Sequence, residues 1–205
     1  MTFQLDQELS AVNSILNAIG QAPVTNLNFQ NPEVGLIYDL LKQCNVDVQN
    51  EGWHFNTENH WPAAVTANGT VLVPGNALQM DISEGQIDRR TDVVKRAGVL
   101  YDKIRHSNDF SDYRPTIACD MVWLLNFEDI PPVYQRYITI MASQRAATQL
   151  VTNQELTQLL AQQAGYARAN CIAYDTQMAD ASFMGWPEET IYNPFQPFQA
   201  LNRVV

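Results

Sequence analysis

Lysine is nearly missing from this chain: Lys42, Lys95 and Lys103 serve all 205 residues. With 12 Lys plus Arg against 22 Asp plus Glu, the formal net charge is −10. A chain so acidic repels a polyanion, which excludes a protein whose work is to hold nucleic acid by its phosphates. Phosphate-cradling loops are missing as well. There is no GxxxxGK[ST], no GxGxxG and no Gly-Lys pair. Neither a GxSxG nucleophile elbow nor an HExxH zinc motif occurs. Histidine is limited to His54, His60 and His106, too few for a catalytic triad together with a metal shell. Three cysteines (Cys44, Cys119, Cys171) cannot all pair within one chain and form no CxxC. They are expected to be free, buried thiols in a reducing compartment. No apolar run reaches the roughly 18 residues needed to span a membrane, and the first residues have neither the basic start nor the apolar core of a secretory signal.

What is present begins with helical periodicity. Leu5, Leu9, Val12, Leu16 and Ile19 draw one face of a helix that Gly20 ends. Asn31 as N-cap and Pro32 in the first turn open a second helix, with Ile37, Leu40, Leu41, Cys44 and Val48 as its stripe and Gly52 at its close. The period then changes to two. Residues 70–74 (TVLVP) and 77–83 (ALQMDIS) predict two short strands around a turn. Residues 92–103 predict a hairpin bent at Arg96-Ala97-Gly98, and residues 116–125 predict a further strand. Helix returns after Glu128 or Asp129 as cap and Pro131-Pro132, with Val133, Tyr137, Ile140 and Ala147 as its buried side. A fourth helix starts at Thr152 or Asn153. Leu156, Leu160, Ala164, Ala167, Cys171, Tyr174 and Met178 form its seam. The expected fold is α+β: an antiparallel helical bundle from residues 1–52 and 127–182, a β-rich insert at 53–126, and an extended C-terminal arm at 183–205.

Two stretches carry candidate chemistry. EGWHFNTENHW, residues 51–61, holds possible metal ligands in His54, Glu58 and His60, which share parity if the segment is a strand. Glu51 and Glu58 could form the carboxylate pair of a glycan hydrolase. The spacing matches no established ligand pattern. The plainer reading is that Gly52 ends the helix while Trp53, Phe55 and Trp61 anchor the chain as it enters the sheet. No catalytic residue, metal ligand or cofactor is therefore assigned. The second stretch is the tail, where Phe183, Trp186, Pro187, Tyr192, Pro194, Phe195, Pro197 and Phe198 alternate aromatics with prolines. A disordered linker is poor in aromatics, so this arm is expected to dock either on its own body or on another subunit.

The words ELSAVNSILNAIGQAPV (residues 8–24), NEGWHFNTE (50–58), VVKRAGVLYDKI and NFEDIPPVYQRYITIMASQRAA occur in an order that resembles the tail tubular protein A family, head-to-tail adaptors of short-tailed bacteriophages. The resemblance covers most of residues 5–175 and leaves the C-terminal arm outside it. It implies a structural virion protein with Trp53-His54-Phe55-Asn56 as a structural junction. It further implies a ring of twelve copies joining the portal to the tail nozzle, with tail-fibre attachment near that border. DNA would pass through its channel without specific binding, and there would be no membrane insertion. The place implied is the virion tail, assembled in the host cytoplasm. An acidic passage wall suits that role because it does not retain DNA. The rival expectation is a cell-wall glycan hydrolase associated with the phage tail.

Overall fold

The computed structural model describes residues 7–83, 91–113, 115–151 and 153–178. They form four α-helices and two antiparallel sheets, an α+β fold. Helix α1 (Gln7–Ala18) buries Ala11, Val12, Ile15 and Leu16; Leu5 lies outside the described residues. Helix α2 (Pro32–Gln49) starts as its cap predicts, with Asn31 Oδ1 accepting from the Glu33 amide at 3.0 Å and Pro32 occupying the first turn. Helix α3 (Pro132–Ala146) continues into a π-turn at Ala147–Val151, and α4 (Gln154–Met178) follows, opened by Asn153 Oδ1 accepting from the amides of Glu155 and Leu156.

Helix α3 touches each of the other three helices, and this position broadens its buried surface. Tyr134, Tyr137, Ile138, Ala142 and Ala146 are buried there, whereas Val133 and Ile140 only lean on the core. The predicted stripe was thus right at Tyr137 and Ala147 and displaced elsewhere. The predicted acidic cap is also corrected: Glu128 and Asp129 belong to a separate 3-10 turn, and the N-cap is Pro131, which has no side-chain oxygen to offer. The seam of α4 is narrow, with Leu160, Ala167 and Cys171 buried. All three cysteines are free and buried. Burial raises their pKa values to about 11 at Cys44 and Cys171 and about 12 at Cys119, which keeps the thiols protonated and unreactive.

The larger sheet has the order β1-β5-β2, with β1 at Thr57–Ala64, β2 at Ala77–Ile82 and β5 at Thr116–Trp123. Strands β3 (Val93–Arg96) and β4 (Val99–Asp102) form the predicted hairpin, closed by Ala97 (φ 48°) and Gly98 (φ 79°). Positive φ at both loop residues is the geometry whose twist matches the flanking strands. Two expectations change here. Residues 70–74 do not pair with β2. Their backbone turns to β4 instead, through Val73 N to Gly98 O (2.9 Å) and Leu100 N to Val71 O (2.9 Å), and β2 pairs with β5. Strand β1, in contrast, was hidden by Pro62 and by a bulge between Glu58 and Trp61. At that bulge His60 takes φ 58°, and its amide donates to Asp120 Oδ1 at 3.0 Å. A carboxylate thus meets an N–H that the irregular ladder leaves over.

Buried side chains fall into two clusters. One gathers the helices with Trp53, Phe127 and Ile130; the other gathers Ala63, Val71, Met80, Leu100, Phe110, Ile117 and Met121 around the sheet and hairpin.

Candidate functional site

The residues that join these clusters are the ones at the EGWHFN words. Helix α2 ends at Gln49, and Gly52 turns the chain with φ 74°, a conformation open to glycine. His54–Asn56 then makes one 3-10 turn before β1 begins. Two fully buried amides hold this passage. Asn56 Oδ1 accepts from the Trp53 amide at 2.9 Å, and its Nδ2 donates to the carbonyls of Gln49 and Trp123, both at 2.9 Å. Gln49 Oε1 accepts from the Leu125 amide at 2.8 Å while its Nε2 donates to the Leu125 carbonyl at 3.0 Å. The side chains of Gln49 and Asn56 therefore bond backbone groups at both chain crossings between bundle and sheet, where buried donors and acceptors need partners.

Aromatic packing surrounds the same point. Tyr134 of α3 is fully buried, with ring centroids 5.0 Å from Trp53, 4.5 Å from Phe55 and 6.0 Å from Tyr174 of α4. Trp53 Nε1 donates to the Val48 carbonyl at 2.7 Å. Asp175 of α4 accepts from the Tyr134 hydroxyl and from the His54 amide, each at 2.9 Å. Glu51 receives Arg168 in a two-pronged pair at 2.8 and 3.1 Å. Helix α4 is thereby bonded to the start of the sheet segment as well as packed on α3.

This geometry decides most of the chemistry weighed above. His54 sits on the 3-10 turn rather than on β1, and the bulge interrupts alternation between Glu58 and Trp61, so the shared parity of His54, Glu58 and His60 does not hold. Among the described residues, no three His, Cys, Asp or Glu side chains are grouped to hold a metal ion. Glu51 is engaged by Arg168, while Glu58 stands exposed. The cleft beside Tyr134 and Asp175, about 140 Å³, is lined by His54, Phe55, Tyr174 and Met178. Replacing His54 and His60 together with alanine is expected to leave the metal content of the purified protein unchanged; stoichiometric zinc lost in the double variant would overturn this.

The predicted contact residues Phe183, Trp186, Pro187, Tyr192, Pro194, Phe195, Pro197 and Phe198 all lie outside the described residues. Sequence reasoning missed Gln49, Arg168 and Asp175. Their partners are 76, 117 and 121 residues away, and no local period announces such bonds. Among the described residues, no helix is long and apolar enough to cross a membrane.

Comparison with known proteins bears on the chain as a whole. A family model for tail tubular proteins matches residues 9–181. A curated relative, Tail tubular protein A of Klebsiella phage KP34, is 30% identical over 125 residues, which cover 61% of this chain and 63% of that protein. The aligned part is thus less than two thirds of the relative's length. The match of the family model across most of the chain, helices and sheet together, places it in the tail tubular protein family, a structural component of the phage tail.

Proposed function

We propose that the chain is the adaptor of a short phage tail. Twelve copies, the number the family resemblance implies, form a ring between portal and nozzle whose channel DNA crosses without being bound. The role is structural and not enzymatic. The observation that carries this reading is the outer surface of α4. That helix buries only its narrow seam on α3, and Leu159, Tyr166 and Ile172 stand 57%, 76% and 50% exposed on its flanks. Large apolar groups scattered singly need no explanation, but three on one helix suit a subunit that packs beside copies of itself. The domain division follows the same lines: a bundle at residues 1–52 and 127–182 faces one neighbour in the tail, and the β-rich insert at 53–126 faces another.

The arm at 183–205 is proposed as an inter-subunit or portal-facing strap. Its aromatics supply large contact areas at small conformational cost, and its prolines reduce the entropy lost on docking. Deleting residues 183–205 is expected to leave the melting temperature of the subunit within about 2 °C, since a few tenths of a kcal/mol moves a chain of this size by no more. Ring formation or portal binding should weaken. Circular dichroism melting beside sedimentation and negative-stain imaging, with and without portal, reads both outcomes. A sharp fall in melting temperature with rings intact would make the arm an internal strap instead.

A further inference from the structure

The cleft beside the Tyr134 cluster has the size and lining of a seat for one aromatic ring. Its volume is about 140 Å³, and an apolar cavity of about 150 Å³ takes up benzene. Phe55, Tyr134 and Tyr174 line it with rings and Met178 with a thioether. Such a lining favours an incoming ring through edge-to-face and sulfur contacts. Among the described residues the one carboxylate of the lining is Asp175, and its Oδ1 is engaged by the Tyr134 hydroxyl and the His54 amide. The cleft lies at the end of α4, where Met178, 49% exposed, is the last described residue.

The sequence beyond Met178 carries a matching group. Residues 193–198 read Asn-Pro-Phe-Gln-Pro-Phe, with Phe195 between prolines three residues apart. Proline-rich segments of this spacing dock in aromatic-lined grooves, because the prolines leave little conformational freedom to lose. The phenyl group of Phe195 is benzene-sized and brings no polar atom. Tyr192 would bring a hydroxyl, and Trp186 a larger ring with an N–H that needs a partner. We propose that Phe195, in the arm of one copy, seats in the cleft lined by Phe55, Tyr134 and Tyr174 of a second copy. This rests on the adaptor reading and names where its strap docks. Reach favours the second copy. Phe195 stands 17 residues beyond Met178, a span of up to about 55 Å, against roughly 40 Å across a globular chain of this length. Met178 lines the cleft itself, so an arm serving its own cleft would have to double back through Pro187 and Pro194, whose φ is fixed. Each copy gives one arm and offers one cleft, a head-to-tail contact that propagates round a ring.

The test uses the full chain and two full-length variants, Phe195→Ala in the arm and Met178→Lys at the cleft. Lysine is tolerated at an exposed helix C-terminus, so both variants should keep the wild-type thermal melt. Sedimentation velocity across a concentration series measures self-association. Each variant is expected to associate about tenfold or more weakly than the wild type. An equal mixture of the two should form pairs that neither forms alone, because the arm of Met178→Lys meets the intact cleft of Phe195→Ala. A labelled peptide of residues 190–200 should bind the dilute wild-type monomer saturably, and about tenfold more weakly when the peptide carries Phe195→Ala or the protein carries Met178→Lys. Equal peptide binding by Met178→Lys would overturn the choice of cleft. Peptide bound by Phe195→Ala but refused by the wild-type monomer at every dilution would show each arm covering its own cleft, which overturns the second copy as occupant. Rings that weaken with Phe195→Ala while no chain binds the peptide would place the arm elsewhere and leave the adaptor reading intact. A wild type that forms no ring, alone or on portal, would sink the adaptor reading and this proposal with it.

Discussion

Tyr134→Ala is expected to destabilise the protein by about 3–5 kcal/mol, the range for deleting a fully buried aromatic side chain. The ring is fully buried and touches aromatics from two other segments, Trp53 and Phe55 before β1 and Tyr174 on α4. Removing it therefore opens a cavity where helices α3 and α4 and the passage into the sheet meet, and collapse from one side cannot fill it. A melting temperature roughly 10 °C lower by circular dichroism is the expected reading for a chain of this length. A loss under about 1 kcal/mol would show that the aromatic cluster is not a keystone of the core. Tyr134→Phe separates ring from hydroxyl. It keeps the packing and loses the bond to Asp175, at a cost of about 1 kcal/mol. The same variant has a pH signature. Burial first, and the Asp175 hydrogen bond second, raise the Tyr134 pKa above its ordinary 10.0. A raised folded pKa contributes stability that is complete below pH 10 and lost as pH climbs beyond it. Tyr134→Phe should therefore lose less stability between pH 10 and 11 than the wild type does.

Asn56→Ala is the second large effect. One amide side chain serves the Trp53 N–H and the Gln49 and Trp123 carbonyls. Alanine takes this partner from all three; the Gln49 carbonyl keeps the Gly52 amide at 3.1 Å, whereas a buried group left without a partner, such as the Trp53 N–H, costs about 1–3 kcal/mol unless water enters. A total of roughly 3 kcal/mol or more is expected in a urea unfolding series. Asn56→Asp sharpens the argument. It preserves the acceptor for Trp53 but turns a negative oxygen toward two carbonyl oxygens, so it should be less stable than Asn56→Ala at neutral pH and recover on acidification. If the aspartate variant is the more stable of the two at neutral pH, the two carbonyl bonds contribute little and the clasp has been misread.

How much of this was legible in the sequence depends on how local the cause is. Helices α2 and α4 announce themselves because Asn31, Pro32 and Asn153 act on amides within three residues of themselves. The β3–β4 hairpin is visible because its bend and its period of two lie within twelve residues. Helix α3 was found but its buried side was misplaced, because contact with three neighbours leaves no single stripe to see. Strand β1 escaped because Pro62 and the bulge at His60 break the alternation, and its pairing to β5 crosses about sixty residues. At the junction, the aromatics of residues 51–61 were read correctly as anchors. The amides that do the joining looked like ordinary polar surface until Gln49 and Asn56 were seen buried.

The chain passes between bundle and sheet twice, once near residues 49–57 and once near 123–127, and the Gln49 and Asn56 side chains staple the two passages side by side. A single passage would act as a swivel, but two stapled ones act as a plate. Tension drawn along either passage is shared among several hydrogen bonds of the two side chains. Torque on the sheet is likewise passed to α2 and, through Asp175, to α4. As a component of the phage tail, the subunit would transmit force as one stiff body, and yielding at its contacts would precede yielding within it.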